Sequence, residues 1–239
     1  MNAYCVTFDN LGEVTALQRG EFPAGEPLGR HFSVTHALPR VLAALEEAAV
    51  RATFFVEGLN TELYPDTLQA IAAAGHEVAY HGWRHEDWAS LEREEEAQLL
   101  ERGVRALDAL GLRPAGFRPP GGELTPSSLE LLAELGFEYC SPVGEEVGVR
   151  GGLAIIPFAW EMVDAWHVLP RFAEARGDAA PFEEQLRGTP DRRACVVFHP
   201  FLLDDEERLA VLRGHLEALG GRAAPCREVA ARLRTARAS

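Results

Sequence analysis

The chain has 239 residues, with 37 acidic against 23 basic residues and a formal charge of −14. Phosphate recognition needs clustered Lys and Arg, and an anionic membrane surface repels an acidic chain, so nucleic-acid and membrane-surface functions are disfavoured. Hydrophobic residues at 47% and charged residues at 25% are ordinary globular usage, which excludes disorder and collagen-like structure.

Residues 3–8 (AYCVTF) read as a strand, and residues 11–32 as a loop punctuated by Gly and Pro. Apolar positions at helical spacing (Leu38, Val41, Leu42, Leu45, Ala49) predict a helix over 38–49. Residues 53–56 are β-branched and aromatic, hence a strand, and a helix over 64–74 follows, ended by Gly75. Residues 77–80 form another strand, 91–110 a long amphipathic helix stopped by Gly111, and 116–118 a strand end. Thr125 as N-cap and Pro126 at the first helical position open a helix to residue 135. Strands at 139–141, 154–157 and 195–199 and helices over 206–219 and 228–236 complete the series. Seven short, non-alternating apolar strands separated by helices make this an α/β chain with a parallel sheet covered by helices, read as one domain over 1–239. Open sheet or barrel is not decided by pattern. No GxGxxG or Walker segment follows any strand.

Chemistry in such a fold belongs at the C-terminal strand ends, and these are polar here. Asp9 and Asn10 follow the first strand, Glu57 the second, and HGWRH with His81 and His85 the third. Arg118 closes the fourth ahead of Pro119, Pro120, Gly121 and Gly122; Trp160 and Asp164 follow the sixth; His199 and Pro200 follow the last. Histidines at i and i+4 project from one face of a helical turn and can share a metal ion. Singly each residue has a plain reading: Asp9 a turn or cap, Arg118 a surface charge, His199 a core histidine, Glu57 a salt-bridge partner. Their conjunction on one rim is what points to catalysis. His31, His36, His76, His167 and His215 have no such company and read as structural, and Phe137, Trp83 and Trp88 read as core or as sugar-stacking surfaces.

In this order the motifs resemble the polysaccharide deacetylases, carbohydrate esterase family four. The family's TFDD is matched by Thr7-Phe8-Asp9-Asn10, its HxxxH by His81 to His85, and its Arg-x-Pro segment by Arg118-Pro119-Pro120-Gly121. Its Asp and Trp motif is matched by Trp160 with Asp164, and its terminal His-Pro by His199-Pro200; residues 52–58 (ATFFVEG) and 74–78 (AGHEV) also agree. The resemblance implies a distorted (β/α) barrel that hydrolyses a C–N amide bond other than a peptide bond, and a cytoplasmic branch that includes peptidoglycan-deacetylase-like proteins and a metal-independent allantoinase. It implies Asp9 as base, Arg118 orienting it, His199 as general acid on the opposite side, and Asp164 tuning His199. It further implies Pro119, Gly121, Trp160 and Glu57 against substrate, and a divalent metal, zinc first, on His81, His85 and Asn10.

Asn10 departs from the family, where an Asp supplies the third metal ligand. Three outcomes follow: Asp9 becomes the ligand with Glu13 or Glu57 as base, Asn10 holds the metal more weakly, or the site works without metal. A bound metal is the reading taken, with a metal-independent cyclic-amide hydrolase and a degenerate carbohydrate-binding relative as its rivals. The opening MNAYCVTFDN has no basic segment followed by an apolar run, and no stretch approaches the ~20 apolar residues of a membrane span. Four cysteines without a CxxC pair read as buried free thiols. A cytoplasmic protein is therefore expected, acting on a small-molecule or oligosaccharide amide, with a homo-oligomer implied by analogy.

Overall fold

The computed structural model describes residues 4–187 and 194–238, so Ala3, the first residue of the expected opening strand, lies outside the described residues. Among the described residues nine strands form one sheet: β1 (Cys5–Asp9), β2 (Thr53–Val56), β3 (Glu77–Tyr80), β4 (Gly116–Phe117), β5 (Tyr139–Cys140), β6 (Gly148–Arg150), β7 (Leu153–Ile155), β8 (Phe158–Val163) and β9 (Cys195–Phe198). Their spatial order is β6-β7-β5-β4-β3-β2-β1-β9-β8, parallel throughout except for the β6–β7 hairpin. The helices are α1 (Val14–Arg19), α2 (Leu38–Glu47), α3 (Asn60–Leu63), α4 (Pro65–Ala73), α5 (Arg93–Ala109), α6 (Ser128–Glu134), α7 (Asp164–Val168), α8 (Ala173–Arg176), α9 (Phe182–Arg187), α10 (Glu206–Leu219) and α11 (Cys226–Ala238). No helix among the described residues is long and apolar enough to cross a membrane.

The sheet curls into a distorted barrel because the segment carrying β7 and β8 serves both of its ends. β7 pairs with β5, and then Phe158 donates its N–H to the Pro142 carbonyl (3.0 Å) while its own carbonyl accepts from Gly144 (2.9 Å). Phe158 also lies in register with Cys195 of β9. Between Phe158 and Val163, β8 advances five residues while β9 advances two, from Cys195 to Val197. That excess is a bulge, which re-aims the intervening side chains, and Trp160 sits within it.

Side chains alternate across each strand, so parity decides which core a residue joins. Val6, Phe8, Phe54, Val56, Val78, Tyr80, Phe117, Val196 and Phe198 pack outward under the helices. Cys5, Phe55, Ala79, Tyr139, Ala154, Cys195 and Val197 form the inner core. Asp9, His81, Arg118 and His199 continue the inward parity of their strands by two residues, which brings them to the same end of the barrel. Two glycines make the packing possible. A Cβ at Gly116 would lie 1.8 Å from the Tyr139 ring, and one at Gly103 of α5 2.1 Å from the Tyr80 ring.

Three local expectations differ from the structure. The segment 11–32 holds α1, a short helix whose one buried side chain, Val14, gives too weak an apolar pattern to read. The hairpin strand β6 is exposed or half-buried and has no strand-like composition. The helix expected to open at Thr125 starts at Ser128, because Thr125 and Ser127 instead donate their hydroxyls to the buried Glu96 carboxylate (2.6 and 2.7 Å).

Candidate active site

Arg118 anchors the site. It is wholly buried, with Nη1 donating to Asp9 Oδ1 (2.6 Å) and Thr7 Oγ1 (2.9 Å), and Nε and Nη2 donating to Ser141 Oγ (3.2 and 2.9 Å). Its guanidinium lies 4.0 Å from the centre of the Phe55 ring and 4.9 Å from that of Phe158, so its edges are hydrogen-bonded and its plane packs on aromatic rings. Burial opposes its charge and Asp9 favours it, with a net upward shift. Asp9 is thereby fixed by one oxygen and presents the other, Oδ2, 3.9 Å from His81 Nε2.

His81 Nδ1 lies 2.8 Å from the Arg118 carbonyl. A carbonyl only accepts, so Nδ1 carries the proton and the Nε2 lone pair is turned toward Asp9. The His85 ring is 5.1 Å from that of His81 at 81°. The i, i+4 spacing brings the two rings together, though not on a helical turn as expected: Gly82 and His85 have φ of 74° and 66°, and the backbone is irregular. Burial pushes both imidazoles down to about 3, helped by the Arg118 charge on His81 and by His81 on His85. Both are neutral bases, the form that binds metal.

Asn10 has φ of 59°, a left-handed conformation that Asn tolerates better than most residues, and its Oδ1 is buried with no hydrogen-bond partner. A buried amide oxygen without a donor costs about 1–3 kcal/mol, unless something absent from the protein chain meets it. Two neutral imidazoles and an orphaned amide oxygen are donors that suit a divalent cation, and Asp9 Oδ2 stays free beside them. A separate set of donors, the Cys5, Cys195 and Cys226 sulfurs, lies within 4.8 Å of one another in the inner core. It does not line the cavity.

The second couple is Asp164 with His199. Asp164 Oδ1 accepts from His199 Nδ1 (2.5 Å) and from the Ala165 N–H (2.6 Å), and Oδ2 accepts from the His199 N–H (2.8 Å). Nδ1 is thus occupied and Nε2 is left for the cavity. β1 and β9 are neighbours with Phe8 beside Phe198. Asp9 and His199 therefore enter from adjacent strand ends.

A cavity of about 280 Å³ is lined by Asp9, Asn10, His81, His85, Arg118, Pro119, Gly121, Trp160 and His199. Asp164 lies behind His199, and Glu57 does not reach the cavity. Glu57 is fully buried and accepts from the Leu11 N–H (3.3 Å), Asn60 Nδ2 (3.0 Å) and the Thr15 hydroxyl (3.4 Å), bracing the turn after β1. Burial first, with the Asp9 charge added, pushes its carboxyl up to about 8. Glu13 is likewise buried behind the site and bonded to Tyr64 and Gly29. Neither is placed to act as the base. Trp83, Trp88 and Phe137 are core residues. Sequence reasoning missed Arg19, Phe158, Arg171 and Phe172 on the cavity wall. They lie on a short helix, at the closing strand and on a turn, with no motif to mark them. A larger groove of about 590 Å³ between α9 and α10 gathers no comparable constellation.

The family model for polysaccharide deacetylases matches residues 22–140. A peptidoglycan deacetylase of Helicobacter pylori is 32% identical over 138 residues, covering 57% of this chain and 47% of the relative. Chitin deacetylase 1 of Saccharomyces cerevisiae is 36% identical over 99 residues, covering 41% of this chain and 33% of the relative. The chain thus matches half or less of the length of these curated relatives. A solved Mycobacterium smegmatis structure assigned to the polysaccharide deacetylases superposes with a TM-score of 0.81 at 27% identity, covering 99% of this chain and 92% of that one. The chain belongs to the polysaccharide deacetylase family.

Proposed function

From that membership we propose that the protein hydrolyses an N-acyl amide, an N-acetyl group on a small amino sugar or related compound in the first instance. The observation that carries this reading is the pair of anchored couples, Asp9 with Arg118 and His199 with Asp164, opening into one cavity. Asp9 Oδ2 is the base that takes a proton from the attacking water, while Arg118 holds the other oxygen and fixes the direction of attack. Water oxygen joins the amide carbon, the C–N bond breaks, and His199 Nε2 delivers a proton to the departing nitrogen. Asp164 holds the imidazole in the tautomer that allows this and stabilises its charged form. The products are a carboxylate and a free amine. A divalent ion, zinc by preference, on His81, His85 and Asn10 would polarise the carbonyl and acidify the attacking water.

The cavity, at about 280 Å³, supports a substrate of about one saccharide unit rather than a long polymer. Asn10, a neutral side chain where the family carries a carboxylate, favours a second reading: a cyclic-amide hydrolase that needs no metal. The test is acetate release from N-acetyl sugars and ring opening of cyclic ureides, each with chelated and with metal-loaded protein, alongside His199→Ala. Metal-dependent acetate release lost in His199→Ala supports the first reading, and metal-free ring opening supports the second. Turnover of neither class by the parent protein would overturn both.

A further inference from the structure

Resting on the amide-hydrolase reading, we propose that the substrate is acidic: a carboxylate or phosphate on it is held by Arg19 and Arg171 at the cavity mouth while the acyl group lies against Asp9 and His199. Both arginines line the catalytic cavity, Arg19 from the last residue of α1 and Arg171 from the turn Pro170–Phe172, and both remain open to solvent. Neither has an ion-pair partner or a hydrogen-bonded carboxylate among the described residues. Several other arginines are paired with acids: Arg40 with Glu206, Arg51 with Glu228, Arg93 with Glu130, Arg234 with Glu138. In a chain with 14 more acidic than basic residues, the mouth of the catalytic cavity thus carries two guanidiniums with no ion pair of their own.

The two are close enough to act on each other. Burial and the Arg19 charge push Arg171 down, Glu21 pulls it up, and the Arg19 charge also reaches His85. Without an anion between them this arrangement is repulsive, and an oxyanion reverses the sign. Arg171 is already oriented for the task, its guanidinium 4.8 Å from the centre of the Phe172 ring, which packs against Trp160 at 5.4 Å. A planar fork held by an aromatic face suits bidentate recognition of carboxylate or phosphate. Polyanions do not fit a chain of this net charge, so the anion is a substituent on a small molecule.

The experiment compares acetate release from N-acetylglucosamine, from its 3-O-lactyl ether N-acetylmuramic acid, and from N-acetylglucosamine 6-phosphate. Metal-loaded wild type, Arg19→Gln, Arg171→Gln and the double variant are assayed at low and high salt. At least one acidic compound is expected to have a kcat/KM ~10–100-fold above the neutral one, mostly through KM. The preference should shrink with salt and vanish in the double variant. The lactyl and phosphate arms show which oxyanion is recognised. Turnover of all three compounds without preference overturns the inference and leaves the hydrolase reading standing. If none is turned over, calorimetric binding decides. Tighter binding of an acidic compound, lost in Arg171→Gln, upholds the arginine pair although the hydrolase reading fails, and equal or absent binding overturns the pair too.

Discussion

Replacing Glu57 by Gln separates a buried carboxyl's charge from its shape. Glu57 Oε2 accepts from Leu11 and Asn60, and its other oxygen faces the Thr15 hydroxyl. A Gln amide reproduces this pattern, with its NH2 standing where a protonated carboxyl would carry its hydrogen. Burial first, with the Asp9 charge added, raises the group from 4.5 to about 8. Between those values the unfolded chain is ionised at this position and the folded chain is not. The stability this group leaves intact below 4.5 is therefore lost as pH climbs toward 8, then levels off. At ~1.4 kcal/mol per pH unit the window amounts to about 3–5 kcal/mol, an upper range because partial hydration relaxes buried charge. Urea unfolding of both proteins at about pH 5 and about pH 8.5, with a chelator to keep a nearby cation from pulling Glu57 down, measures it. Glu57→Gln should match the parent at the lower pH and exceed it by about 3–5 kcal/mol at the higher. Parallel pH dependence in the two proteins would refute the reasoning.

Other outcomes follow from the same geometry. In Asp164→Asn an NH2 must face one of the three donors that the carboxylate now accepts, so the His199 ring loses its fixed tautomer. Its kcat for acetate release should fall ~100- to 10,000-fold with KM little changed. Asn10→Asp restores a charged ligand at a left-handed position that Asp also tolerates. Metal affinity by competition with a chelating dye should tighten at least ~10-fold, while the metal-free variant melts lower because two carboxylates then adjoin. In Gly116→Ala the new methyl meets the Tyr139 ring, whose hydroxyl is held by buried Glu77, so a loss of about 1–3 kcal/mol or more is expected in urea unfolding.

The strand-end residues were legible because each follows a short apolar run whose parity is unambiguous: VTF before Asp9, VVF before His199, GF before Arg118. Their motif order also named the family. What pattern could not give was the third dimension of irregular chain. The His81 to His85 spacing looks helical, yet a left-handed Gly82 and His85 bring the rings together by another route. Glu57 has the same place after its strand as Asp9 has after β1, but Asn60 and Leu11 capture its carboxylate and keep it out of the cavity. Arg19 and Arg171 reach the cavity only because α1 and the turn after α7 fold over it, and neither segment carries a periodic signal. The bulge that places Trp160 depends on a register between β8 and β9 that neither strand encodes alone.

The most direct measurement is acetate released from an N-acetylated amino sugar by the metal-free protein as a divalent ion is titrated back. Activity should rise from background to a plateau at one ion per chain, with the Cys5, Cys195 and Cys226 group left out of the count by repeating the titration in Cys195→Ala. His81→Ala and His85→Ala should each remove the plateau. Full turnover before any ion is added, or no acetate at any loading, would contradict the assignment of this cavity as a metal-assisted deacetylase site.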